Sequence, residues 1–97
     1  MATHITLIRY TQQGIQNMKD SPARLDKAKE AIKANGGELK AFYLTMGQYD
    51  AVAISEGPSD EVYATTILTI ASEGAISTET LRAFKEDEYR KIVSAIP

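Results

Sequence analysis

An α+β domain, with one antiparallel four-stranded sheet, helices on one of its faces and a further helix at the C-terminal end, is predicted by three features of this chain. Alternating and helical stretches interleave as strand, helix, strand, strand, helix, strand, helix along 97 residues. Residues 38–54 read as two strands joined across a Gly47-Gln48-Tyr49-Asp50 corner, with apolar side chains on both faces, so both faces of the sheet need a dry neighbour. The helical stretches carry their own start and stop residues.

Residues 3–10 alternate, with Ile5 and Leu7 on one face, Thr6, Ile8 and Tyr10 on the other, and Arg9 closing the Ile5 face. Thr11 caps a short helical turn holding Ile15 and Met18, which Gly14 weakens. Asp20-Ser21-Pro22 opens the main helix, with Ser21 as cap and Pro22 at the first helical position. Leu25, Ala28, Ala31 and Ile32 form its buried stripe, and Asn35-Gly36-Gly37 ends it. Strands over 38–45 and 50–55 follow. Gly57-Pro58-Ser59-Asp60 serves as both turn and helix cap, and Asp60 and Glu61 suit the positive first turn. Tyr63, Ala64, Ile67, Leu68 and Ala71 make the second helix's apolar face, and Gly74 stops it. Thr65, Thr66 and Thr69 lower its propensity, so burial has to stabilise it. The fourth strand, 76–84, places Leu81 and Ala83 on one face and Thr78, Thr80, Arg82 and Phe84 on the other. A last helix, 86–95, has Glu86, Asp87 and Glu88 at its start and an apolar stripe of Tyr89, Ile92, Val93 and Ile96 that needs another element or subunit to pack on.

This order is the split βαβ, or ferredoxin-like, pattern βαββαβ, with an antiparallel sheet in the order 4-1-3-2 plus the C-terminal helix, and residues 1–97 form one such domain. Covering the second sheet face with another copy of the chain would bury several hundred Å². At about 25 cal/mol per Å² that is on the order of 10 kcal/mol before association costs. A homodimer, or a higher multiple of it, is therefore expected.

Composition narrows the partners. Eleven Lys and Arg against 13 Asp and Glu leave a net charge of −2, without the basic footprint that attracts nucleic acid. Cysteine is absent, which removes disulfides, thiolate metal sites and a cysteine nucleophile together and fits a reducing cytoplasm. The first residues have no signal-peptide pattern and no apolar run reaches the roughly 20 residues of a membrane span. A cytoplasmic protein without membrane partners is expected.

The segments Gly47-Gln48-Tyr49-Asp50, Thr11-Gln12-Gln13-Gly14-Ile15, Asp20-Ser21-Pro22-Ala23-Arg24 and Ser77-Thr78-Glu79-Thr80-Leu81-Arg82-Ala83-Phe84, taken with their spacing along the chain, resemble the GYD domain family. The resemblance covers almost the whole chain. It implies a ferredoxin-like subunit related to the dimeric α+β barrel group. That wider group includes cofactor-free monooxygenases, lactone isomerases, haem enzymes and amino-acid-sensing domains, so the resemblance carries no single activity. Lys85 stands where a capping Thr or Ser is expected.

Several residues could carry chemistry. Gly47 and Asp50 have a structural reading, the glycine as a turn and the carboxylate as acceptor for the turn's own amides; the functional reading makes Asp50 a base and Tyr49 a hydrogen-bond donor in a cleft. His4 is the only imidazole, too few nitrogen ligands for a metal centre, and is read as a hydrogen-bonded strand residue, with general-base duty as the alternative. Arg9 and Arg82 either pair with carboxylates such as Glu79 or Asp50 or clamp an anionic ligand. Tyr10, Tyr43 and Tyr49 are core or interface material that could also line a pocket between sheet and helices. The leading expectation is a homo-oligomeric domain that binds a small, partly apolar organic molecule without a cofactor or metal. The alternatives are a cofactor-independent monooxygenase or isomerase using Asp50, His4 and Tyr49, and a structural or regulatory protein-interaction module. Whether the chain is an enzyme is not decided by its residues.

Overall fold

The computed structural model describes residues 1–97. Strand β1 (Ala2–Tyr10) leads through the short helix α1 (Gln12–Gln16) and a 3₁₀ turn (Met18–Asp20) into α2 (Ser21–Ala34). Then come β2 (Glu38–Leu44), β3 (Ala51–Gly57), α3 (Asp60–Ala71), β4 (Ile76–Ala83) and α4 (Glu86–Ser94). The four strands form one sheet in the order β2-β3-β1-β4, with every pairing antiparallel. Read from its other edge this is the expected 4-1-3-2 order.

Register decides what each face carries. Thr6 lies opposite Ala53 and Thr80, and Ile8 opposite Ala51 and Thr78, on the side covered by α2 and α3. Ile5 lies opposite Ile54 and Leu81, and Leu7 opposite Val52 and Glu79, on the side no helix covers. In β2 the register shifts between Leu39 and Ala41. This bulge inserts Lys40 and lets Leu39 and Phe42, three residues apart, both face the helices. Ile8, Ala51 and Ala53 are the buried core, with Leu39, Phe42 and Ile76 packed against them.

Local signals hold with three adjustments. Ser21 is already inside α2 and Asp20 occupies the cap position without a side-chain cap bond, so the start signal is displaced by one residue. On α3 the buried positions are Tyr63 and Thr66, whereas Leu68 and Ala64 face outward. Thr66 can be buried because its hydroxyl donates to the Val62 carbonyl and accepts from Asn35 Nδ2 at 2.6 Å. Gly14 weakens α1 in isolation, yet it is buried where a Cβ would lie 2.1 Å from the Ala75 carbonyl oxygen, so the close approach of α1 to the α3–β4 loop requires glycine. The helix stops behave as expected, with Gly36 at φ 85° and Gly74 at φ 91°.

Helix α4 is the exception to compact packing, since no other element packs broadly against it. The Lys85 amide donates to Glu88 Oε1 at 2.9 Å, which closes its first turn. Tyr89, Ile92, Val93 and Ile96 remain exposed. No helix of the chain is long and apolar enough to cross a membrane.

Candidate functional site

Beneath the helices, polar side chains gather at the β1–β3–β4 centre. His4 is 3% exposed. Its ring stacks on Tyr63 with centroids 4.4 Å apart, and its Nε2 donates to Asp60 Oδ1 at 2.9 Å. The same oxygen takes Arg82 Nε at 3.1 Å, and the Arg82 guanidinium lies 4.6 Å over the Phe84 ring. The carboxylate is available here because Ser59 caps α3, placing Asp60 in its first turn, where the helix dipole favours negative charge. Two residues further along β1, Thr6 Oγ1 and Tyr63 OH share a hydrogen bond of 2.5 Å, and Thr80 Oγ1 stands 3.4 Å from Thr6. Ser55, opposite His4 in the ladder and fully buried, has an Oγ without a hydrogen-bond partner. Thr6, Ser55 and Tyr63 line a cavity of about 150 Å³ between sheet and helices. Its other walls are largely apolar, including Ile8, Leu25, Phe42 and Ile67.

The uncovered face has the opposite plan. Ile5, Leu7, Val52, Ile54 and Leu81 run across its middle, and charge lies at both ends. At one end Arg9 stacks on Tyr49, 4.6 Å from the ring centroid, while its Nε donates to the Gln48 carbonyl at 2.9 Å. The Tyr49 hydroxyl donates to Glu79 Oε2 at 2.7 Å. That hydrogen bond, more than the accompanying desolvation, raises the phenol above its ordinary value. At the other end Glu56, 9% exposed, pairs with Lys85 and with Lys40 Nζ at 3.4 Å. The Lys85 hydrogen bond, with a smaller contribution from that of Lys40, holds the Glu56 carboxyl below the usual range against the opposing effect of burial. Lys85, the departure from a capping Ser or Thr, therefore ties the base of α4 to the rim of the sheet.

The sequence-derived candidates do not converge on one centre. Asp50 Oδ2 accepts the Tyr10 amide at 2.9 Å, while its own amide donates to the Ile8 carbonyl at 2.8 Å, so the motif carboxylate closes the end of β1. Gly47 takes φ 130° in the β2–β3 connection. Tyr10 lines the cavity; Tyr43 is exposed on edge strand β2. Arg9 and Arg82 lie on opposite faces and toward opposite ends of β1, because Arg82 pairs with His4 and Arg9 with Ser77. Arg82 takes Asp60 as its carboxylate, and Arg9 takes a carbonyl and an aromatic ring. Asp60, Tyr63 and Ser55 were not among the candidates. The Ser59-Asp60 cap signal marked where a carboxylate would sit, but its meeting with His4 depends on how α3 lies across the sheet.

With this geometry in view, the GYD domain profile matches residues 4–93. The chain belongs to the GYD domain family. A Thermus thermophilus protein named glutamine synthetase and cystathionine beta-lyase binding protein is 30% identical over 84 residues, covering 86% of this chain and 88% of that one. A crystal structure from the same organism superposes with a TM-score of 0.56 at 28% identity, over 88% of this chain and 95% of that one. A Mycobacterium tuberculosis feast or famine regulatory protein, solved with L-methionine, gives a TM-score of 0.63 at 18% identity, over 90% of this GYD chain and 54% of the regulator. That last likeness is one of fold and supports the ferredoxin-like assignment.

Proposed function

We propose that this GYD protein is a homodimeric binding module in the manner of a dimeric α+β barrel, and that the dimer docks on a larger metabolic enzyme to regulate or organise it. The observation that carries this reading is the uncovered stripe of Ile5, Leu7, Val52, Ile54 and Leu81, bounded at both ends by charged clusters. An apolar centre inside a polar rim is the anatomy of a protein interface. A second copy is the occupant the geometry favours. Lys85 bonded to Glu56 holds the start of α4 beside this face, so a copy seated on the sheet would also meet the Tyr89, Ile92 and Val93 stripe.

The docking half of the reading is supported by the name of the Thermus relative, which specifies two enzymes as the partners of that protein. Sedimentation velocity tests the first half: a species of twice 10.6 kDa is expected, and a monomer at micromolar concentration would refute it. Biolayer interferometry against purified glutamine synthetase and cystathionine β-lyase from the same organism as the chain tests the second. Saturable binding to at least one is expected, and binding to neither would overturn it.

A second reading, small-molecule binding between sheet and helices, is favoured by one specific observation. The cavity is mostly apolar, and the Ser55 hydroxyl in its wall is left without a partner inside the protein.

A further inference from the structure

We infer that the cavity between the sheet and helices α2 and α3 accepts a neutral, single-ring compound bearing one hydroxyl, of the phenol class, and that Ser55 receives that hydroxyl. The inference rests on the small-molecule reading and names its ligand. Size is the first argument. A cavity of about 150 Å³ matches the dry, aliphatic-walled cavities that take up benzene, which are also about 150 Å³. Ile8, Leu25, Ile32, Phe42, Ile67 and Ile76 supply walls of that kind.

Polarity is the second argument. Ser55 is 0% exposed and its Oγ has no partner, whereas Thr6 Oγ1 and Tyr63 OH already bond each other. A buried hydroxyl left unsatisfied is costly, and native proteins rarely keep one without a use. A ring with one hydroxyl presents one polar atom to Ser55 and carbon to the apolar walls.

Charge is the third argument. The charged groups of the lining are Arg24, Lys27 and Glu73. Glu73 is exposed and Lys27 sits on the outer part of α2, and the Arg24 guanidinium donates to the Asn17 and Gly14 carbonyls. His4, opposite Ser55 in the ladder, already has Asp60 as its carboxylate partner, so no unpaired charge stands beside Ser55 to balance an ionised ligand, and an uncompensated buried charge is strongly disfavoured. Carboxylic acids and amines are thereby excluded in favour of neutral molecules.

The test is titration of ¹⁵N- and methyl-labelled wild-type protein with p-cresol and with toluene, which share size and shape but differ by the hydroxyl. Binding of p-cresol at least tenfold tighter than toluene is expected, with shifts centred on Ser55, Thr6 and Ile67. In Ser55→Ala the p-cresol advantage should vanish while toluene binding stays and Tm rises, because the orphaned hydroxyl is gone. Equal wild-type affinities, or a p-cresol advantage that survives Ser55→Ala, would overturn the ligand class and leave the small-molecule reading standing. Absence of binding by both probes, or shifts confined to the uncovered face, would remove both. The wild-type comparison alone decides the ligand class should the alanine variant fold poorly.

Discussion

Under its helices the sheet carries His4, Thr6, Ser55 and Thr80 at its centre, while the face without helices carries Ile5, Leu7, Val52, Ile54 and Leu81. A sheet with one solvated face normally keeps its polar side chains outside; here the covered side combines this polar group with the apolar core of Ile8, Ala53, Phe42 and Ile76, and the uncovered side is apolar across its middle. The difference separates two tasks. Polar groups on the covered side are held by specific partners, Tyr63 and Asp60 on α3, and leave a cavity with one free hydroxyl. Apolar groups on the other side have no helix to cover them within the chain, and in the proposed dimer they would contribute through association.

The sharpest way to break this comparison uses neighbouring residues of β1. Leu7→Lys puts an ammonium in the apolar stripe and should weaken dimerisation by at least about 100-fold, with far-UV circular dichroism unchanged, because a charge in a dry interface has no counter-ion. Analytical ultracentrifugation over a concentration series reads this directly. Unaltered assembly would place the interface elsewhere.

Ile8→Ala, one residue along and on the other face, should instead cost about 3 kcal/mol of folding stability in urea melts. Assembly of the folded fraction should be retained. A loss of only a few tenths would mean that the cavity beside Ile8 already absorbs the missing methyls.

Asp50→Ala tests whether the family's motif acid acts at the join of the two faces. Its carboxylate accepts the Tyr10 amide, so the variant should lose about 1–2 kcal/mol. Slow amide exchange at Tyr10 should be lost with it. Full protection at Tyr10 in the variant would show that the carboxylate has another duty.

The smallest effect is expected at the charged rim. Lys85 and Lys40 depress the Glu56 carboxyl in the folded chain, so its contribution is present above the unfolded glutamate value of about 4.3 and is lost as pH falls through the lower folded value. Glu56→Gln should flatten that part of the acid limb of the stability curve. An identical acid limb in wild type and variant would show that the pairs are screened in solution.

How much of this was legible beforehand depends on the range of the interaction. Period-two alternation put Ile5 and Leu7 opposite Thr6 and Ile8, and cap and stop residues bounded the helices, because those signals act within a few residues. The bulge at Lys40 was not legible, since an added residue in β2 shows only against its partner in β3. Likewise Gly14 read as a helix defect, because the Ala75 carbonyl it must clear lies 61 residues along the chain (75 − 14). Among the candidate site residues, Asp50 reads from sequence as an acceptor for the amides of its own turn, whereas the donor it meets is the Tyr10 amide 40 residues earlier.

The amino-acid sequence by itself determined the order of elements, the antiparallel topology and the presence of apolar side chains on both sides of the sheet, all consequences of local periodicity and turn chemistry. Only the tertiary structure decided which face the helices cover, that Arg9 and Arg82 stand apart, that Asp60 reaches His4 and Arg82, and that Ser55 is left without a partner. Those outcomes depend on strand register and on how α3 crosses the sheet, which are set by packing among residues distant in the chain.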